Sequence, residues 1–328
     1  MKALMCTELG ALEALAVQEF ASLKAGPGQV VIDVKAAAAN FPDVLMVEGK
    51  YQFKPPMPFA PGCELAGLVR EVGGGVTHVK VGDPVIAIVM HGAFAEEALA
   101  DAARVIPLPA GLDFETAASF MFTYSTSYHA LKDRGHLMPG ETLLVLGAAG
   151  GVGIAAVELG KKMGAKVIAA ASTDEKLAAC VSRGADATIN YATEDLRERI
   201  KVLTEGRGAD VIYDPVGGAY TEPALRGIAW RGRFLVVGFA NGEIPRIPLN
   251  LALLKGCSIV GVFWGDFTRK EPEAHKANTR QLVEWVASGE LRPLISGRFP
   301  LARGAEALRA VKDRKVTGKV LVLPEVAS

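Results

Sequence analysis

The sequence predicts an α/β protein, a doubly wound parallel-sheet domain carried on a β-rich lobe. Three observations predict it. The first third is written in short β-rich runs between Gly, Pro and Asp turns, and the middle alternates apolar strands with alanine-rich amphipathic segments of helical length. The first of those central strands runs straight into a glycine-rich turn, GAAGGVG at 147–153. With 328 residues the chain is long enough for about two domains of ordinary size.

Taken in order, the β-rich part spans Val30 to about Pro109, with runs VVIDVKA, LAGLVREV and PVIAIV. The parallel part follows as TLLVLG at 142–147, KVIAAA at 166–171, ATIN at 187–190, DVIYDPV at 210–216, RFLVVG at 233–238 and SIVGVF at 258–263. Six strands fit a doubly wound sheet. Beyond Trp264 a charged helical stretch leads to Phe299–Arg303, a short helix and the strand KVLVLP at 319–324, which is expected to rejoin the first lobe. The resulting domains are 1–124, 125–264 and the returning segment 265–328, with a ligand cleft expected where the two lobes meet.

Composition excludes several classes. Half the residues are hydrophobic and 22% are charged, so large cores are affordable and no disordered segment is expected. Lys plus Arg balances Asp plus Glu at 36 each, which gives no field for nucleic acid or an anionic membrane. Cys6, Cys63, Cys180 and Cys257 are scattered without metal-ligand spacing and read as reduced thiols. The N-terminus has no signal-peptide pattern, so a cytoplasmic location is expected. The apolar stretch 143–159 divides at its glycines into strand, turn and helix, and is not a membrane span.

The glycine turn carries the chemistry. Gly147, Gly150, Gly151 and Gly153, with Val152 among them, sit between a strand and a helix that leads to a second strand. That context turns a weak motif into a dinucleotide-binding one: the glycines permit a sharp turn and close approach of backbone to a diphosphate, and the helix points its N-terminal amides at it. The competing reading is a tight turn in some other doubly wound protein. Where an NAD site places Asp or Glu at the end of the second strand, this chain has Ala171 and Ser172. Asp174 and Glu175 lie past the strand end, where a capping box of Ser172 with Glu175 explains them. Ser172 and Lys176 suit a 2′-phosphate, which an acid would repel, so NADP(H) is the expected cofactor.

AAAANFPDVLMVEGKY, PFAPGCELAG, YSTSYHAL, GAAGGVG, INY, YDPVGG and GKVLVLP together resemble the medium-chain dehydrogenase/reductase superfamily, and within it the zinc-independent, zeta-crystallin-like quinone oxidoreductases. The resemblance covers nearly the whole chain. It implies a GroES-like catalytic domain, a Rossmann domain, and a homodimer joined through the edge strand Ser258–Phe263. Zinc enzymes of the superfamily carry a catalytic Cys, a Gly-His-Glu triplet and a four-cysteine lobe; here Asn40 to Asp43 stands in the cysteine region, the triplet reads Gly62-Cys63-Glu64, and no cysteine lies between 64 and 179. No metal is expected. Cys63 reads as a buried thiol, and Glu64 wants a partner: a structural Arg, backbone donors or a role at the site.

Carried onto matching positions, the resemblance implies that Ser172, Lys176, Tyr191 and Arg314 hold the 2′-phosphate. It further implies Asn40, Asp43, Thr126, Phe239 and Asn241 at the nicotinamide end. Blander roles stay open: Tyr191 as a strand cap, Arg314 on a solvated helix face, Thr126 as an N-cap. Without a metal to polarise oxygen, hydride delivery to a quinone or an enone is favoured over alcohol oxidation. The proton that follows is assigned to Tyr51 first, with Asn40 or solvent behind it. Tyr51, Phe53, Phe239, Phe263 and Trp264 are candidates to stack a flat substrate, and His129 reads as a satisfied core or interdomain histidine rather than a proton shuttle. Two alternatives remain. One is an enoyl-CoA reductase of the acryloyl or crotonyl type, with Lys50, Lys54, Arg269 and Lys270 as CoA-phosphate candidates; the other is a cofactor-binding structural or regulatory protein with little turnover.

Overall fold

The computed structural model describes residues 1–324 and divides into two compact units, Met1–Phe122 with Val286–Ser328, and Thr123–Trp285. Residues 325–328 of the expected returning segment lie outside the described residues.

The second unit is built on six parallel strands. They are β1 (Thr142–Leu146), β2 (Lys166–Ala171), β3 (Ala187–Asn190), β4 (Ala209–Asp214), β5 (Ile228–Val236) and β6 (Ser258–Gly261), in the spatial order β3-β2-β1-β4-β5-β6. That is the doubly wound order, with its switch point between β1 and β4. Every residue of β1 is buried, which explains why its sequence is a continuous apolar run rather than an alternating one. Helix α1 (Gly151–Lys162) packs against it so closely that a Cβ on Gly160 would lie 2.6 Å from Leu143 Cδ2. Helices α2 (Asp174–Ser182), α3 (Leu196–Leu203) and α4 (Thr221–Arg226) complete the crossovers as far as β5.

Several expected boundaries move. β5 begins at Ile228, five residues before the apolar run, and absorbs a left-handed Arg231 (φ 62°) and a register shift against β4. β6 ends at Gly261, because Phe263 is already the cap of helix Trp264–Lys270. The chain leaves the second unit at 285/286 and not at 264/265. Side chains hold the intervening helices there: Phe267 stacks on His129 at 3.9 Å, and Asn278 donates to Asp133 at 2.7 Å. His129 also bonds Asp133 at 2.9 Å, so it is the satisfied core histidine expected.

The first unit centres on the long strand Gln29–Ala38, which pairs antiparallel with Glu64–Val72, Glu97–Asp101 and Lys319–Leu323. The chain's return supplies the last of these. Strand Ile295–Pro300, helix Gly304–Lys312 and strand Lys319–Leu323 form a small parallel unit on the edge of the β-rich lobe. Val30, Ile32, Leu65, Val85, Phe94 and Val322 lie at the heart of its core. Among the described residues no helix is long and apolar enough to cross a membrane.

Candidate active site

The turn between β1 and α1 is shaped by two glycines with different duties. Gly147 adopts φ 56°, a left-handed conformation that costs a side-chain-bearing residue free energy, and a Cβ there would also sit 2.7 Å from Val216 Cγ2. Gly153 has an ordinary backbone but no room: a Cβ would lie 2.3 Å from the Gly147 carbonyl oxygen. Gly150 is the N-cap of α1 and offers no side-chain cap, which leaves the first-turn amides around Gly151, Val152 and Gly153 available to an external acceptor. Ser127 braces the turn from beneath, donating to the Val152 carbonyl at 2.9 Å, with Tyr213 hydroxyl also 2.9 Å away.

At the C-terminal ends of β2 and β3 the sequence-assigned residues come together. Ser172 Oγ accepts from Lys176 Nζ at 3.4 Å, and the Tyr191 amide bonds the carbonyl of Ala171, next to Ser172. The Tyr191 ring lies 4.2 Å from that of Tyr220. The N-cap of α2 is Thr173, whose hydroxyl accepts from the Lys176 amide at 3.3 Å; Ser172 is therefore not the capping residue expected. Asp174 is engaged by Asn190 at 2.7 Å. A phosphate-compatible hydroxyl and ammonium are thus grouped where an NAD site carries an acid.

Beyond β4 the turn Val216–Gly218 is wrapped by Phe239 and Asn241. The Asn241 amide bonds the Val216 carbonyl at 2.9 Å, and a Cβ on Gly217 would meet the Phe239 ring at 2.8 Å. Both residues therefore lie at the C-terminal edge of the sheet near the switch point. Thr126 lies inside helix Met121–Tyr128 and is not an N-cap. Arg314 belongs to the first unit, exposed, in a left-handed turn (φ 57°) just past helix Gly304–Lys312 rather than on its face.

The first unit holds a buried polar network. Asn40 caps the short helix Phe41–Val47, and its amide N–H donates to Asp43 Oδ2 at 2.8 Å. Its side chain is turned inward: Oδ1 accepts from Lys319 Nζ at 2.6 Å, and Nδ2 donates to Glu64 Oε2 at 3.1 Å. Lys319 also reaches Glu64 Oε2 at 3.0 Å, and the other Glu64 oxygen takes the Phe122 amide at 2.9 Å. Glu64 and Asp43 have no exposed surface, and Lys319 has 3%. Burial pushes the Asp43 carboxyl up to about 7, and its Oδ1 finds no donor among the described residues other than the neighbouring Cys63 thiol. Burial also raises Cys63 and the half-buried Tyr51, with Cys63 and Asp43 adding to the rise at Tyr51. Tyr51 is therefore a phenol that stays protonated through neutral pH and can donate a hydrogen bond.

This network answers what Glu64 pairs with. The partner is a lysine, which the sequence reading did not identify. It opens an apolar strand, where a first-position lysine ordinarily points to solvent. The residues do not fit zinc: the Glu64 carboxylate is already taken by an ammonium, no histidine joins it, and among the described residues no three His, Cys, Asp or Glu side chains converge. The CoA-phosphate candidates are partly spoken for, since Lys50 pairs with Glu48 and both Arg269 and Lys270 with Asp266.

The chain resembles known proteins along its length. Residues 26–110 match the alcohol dehydrogenase GroES-like domain, and 151–287 match the family described as zinc-binding dehydrogenase. Quinone oxidoreductase-like protein 2 homolog of Nematostella vectensis is 41% identical over 98% of this chain and 88% of its own. The crystal structure of Escherichia coli quinone oxidoreductase complexed with NADPH superposes with a TM-score of 0.92 at 30% identity, covering 99% of this chain and 100% of that one. CurK enoyl reductase superposes with a TM-score of 0.88 at 27% identity, covering 98% and 99%.

Proposed function

Because the chain belongs to the medium-chain dehydrogenase/reductase family, among its quinone oxidoreductases, we propose that it reduces quinones or related α,β-unsaturated carbonyls by metal-free hydride transfer from NADPH. The observation that carries the cofactor is the pairing of a glycine cradle at β1 with Ser172 and Lys176, in place of an acid, at the end of β2. When bound, NADPH supplies the hydride. The first-turn amides of α1 take the diphosphate, Ser172, Lys176, Tyr191 and Arg314 the 2′-phosphate, and Thr126, Phe239 and Asn241 the nicotinamide end.

Hydride addition to a quinone leaves a hydroquinone anion that needs one proton. Tyr51 donates a hydrogen bond to that oxygen and passes its proton on, to be restored from solvent. Asn40 and Asp43 serve from beneath, since their polar atoms face the buried network. The absence of a metal from the reaction is supported by the Lys319 ammonium at Glu64. Four free thiols agree with a reducing, cytoplasmic setting. A second copy docking along the edge strand β6 is supported by the exposed apolar residues there and on the preceding helix: Leu249, Leu253, Leu254, Ile259 and Phe263.

A second reading, reduction of an enoyl thioester, draws on the likeness to CurK enoyl reductase. NADPH oxidation followed in parallel with ortho- and para-quinones, enones and enoyl-CoA thioesters separates the two. The proposal expects turnover on quinones or enones. Turnover on thioesters alone moves the assignment to the second reading, and NADPH binding with no turnover on any acceptor removes the enzymatic one.

A further inference from the structure

We propose that Lys319 is a positioning residue for this reaction: its buried ammonium fixes the Asn40 amide and balances Glu64, and so holds the segment 40–51 that carries Tyr51. The inference rests on the reductase reading above.

Lys319 is anchored on both sides of its α-carbon. Its amide bonds the Leu294 carbonyl at 2.7 Å, and the next residue's carbonyl takes the Ala39 amide at 3.0 Å. From that fixed point the side chain donates to Asn40 Oδ1 and Glu64 Oε2 at once. Asn40 is the last residue before helix Phe41–Val47, and the far end of that helix takes the chain onward: the Leu45 carbonyl accepts from the amides of Lys50 at 2.8 Å and Tyr51 at 3.1 Å. One short helix therefore links the ammonium to the phenol.

An ion pair with no exposed surface at its carboxylate carries a heavy desolvation cost, and an apolar pair of the same volume would fill the space without it. What an apolar pair lacks is a donor for Asn40 Oδ1. With that donor gone Asn40 Oδ1 is left unsatisfied and the side chain keeps the Ala38 carbonyl, 3.3 Å from Nδ2, as its remaining anchor outside the pair, so the residue at the start of the helix is held less firmly. A role confined to packing predicts that a neutral, volume-conserving pair replaces Lys319 and Glu64 without consequence. A positioning role predicts that it does not.

The test compares wild type, Lys319→Met and the charge-neutral, donor-free Lys319→Met/Glu64→Leu. Lys319→Met alone buries an unpaired carboxylate at a cost to the fold itself, so the double variant carries the decision. Hydrogen exchange of amides 40–51 is the primary readout, with kcat for NADPH and 1,4-benzoquinone and the dissociation constant for NADPH beside it. In the folded double variant, exchange over 40–51 is expected to rise by about tenfold or more while the second unit keeps its protection. The same variant is expected to lose about ten- to a hundredfold in kcat, with NADPH affinity within about threefold of wild type. Wild-type exchange over 40–51 in the double variant overturns the proposal. If wild type turns over no quinone, enone or thioester, the reductase reading fails on its own, and the exchange comparison still decides whether Lys319 holds the segment.

Discussion

The two units solve the same problem, holding charge in a protein interior, in opposite ways. The second unit presents backbone: glycines leave the first-turn amides of α1 without a side-chain cap, as the proposed diphosphate site requires, and Ser172 and Lys176 bring a hydroxyl and an ammonium together at the end of β2. The first unit presents side chains: Lys319, Glu64 and Asn40 bond one another inside an apolar core, with Asp43 joined to them through the Asn40 amide. A backbone site tolerates almost any neighbour but no Cβ, whereas a side-chain network tolerates small shifts but no missing partner. That contrast makes each unit breakable by a different kind of substitution.

The largest effect is expected at the cradle. Gly153→Val puts a branched side chain where even a Cβ lies 2.3 Å from the Gly147 oxygen, so the turn must open. NADPH affinity should fall by more than about a hundredfold, read by isothermal titration. Gly150→Ala, whose Cβ would lie 3.4 Å from the same oxygen, is expected to stay within about threefold, and equal losses in the two variants would show that the cradle is not shaped by close approach.

Side-chain recognition is expected to matter less and more selectively. Lys176→Ala should weaken NADPH by about tenfold while NADH changes by no more than about twofold, because only NADPH carries the 2′-phosphate. Parallel losses for both cofactors would remove Lys176 from that role.

The smallest effect is a pH dependence confined to the first unit. Asp43 has an ordinary carboxyl value of 3.8 and is pushed up to about 7 in the fold. Between those values the folded chain keeps a proton that the unfolded chain has released, so this group's contribution to stability falls as pH rises from about 4 to about 7 and is flat above. The difference in Tm between wild type and Asp43→Asn should therefore drift by about 5 °C across that window in favour of the variant. A difference that is constant with pH would mean that Asp43 titrates as an ordinary carboxylate.

The same contrast governs what the sequence could disclose. The cradle is contiguous, strand, turn and helix within one stretch, so its glycines and all six central strands were legible from pattern alone. Boundaries slipped where two neighbours compete for one job: Ser172 and Thr173 both carry a hydroxyl, and the extended backbone at Thr173 decides which one caps α2. β5 slipped for another reason, a left-handed Arg231 that interrupts the apolar run without ending the strand. The buried network was illegible as a whole. Asn40 is 24 residues from Glu64 and 279 from Lys319, so no local spacing records that they meet. Glu64 was recognisable as a carboxylate in need of a partner, but the lysine that answers it looks like a solvent-facing strand start until the strand is paired.

The central claim is that the first unit supports hydride transfer with an internal ammonium and no metal ion. Its most direct measurement is the NADPH-to-quinone rate of purified protein before and after exhaustive chelation, with the metal content of each sample determined. The account predicts an unchanged rate in protein holding far less than one equivalent of zinc per chain. A rate that disappears on chelation and returns with stoichiometric zinc would contradict it.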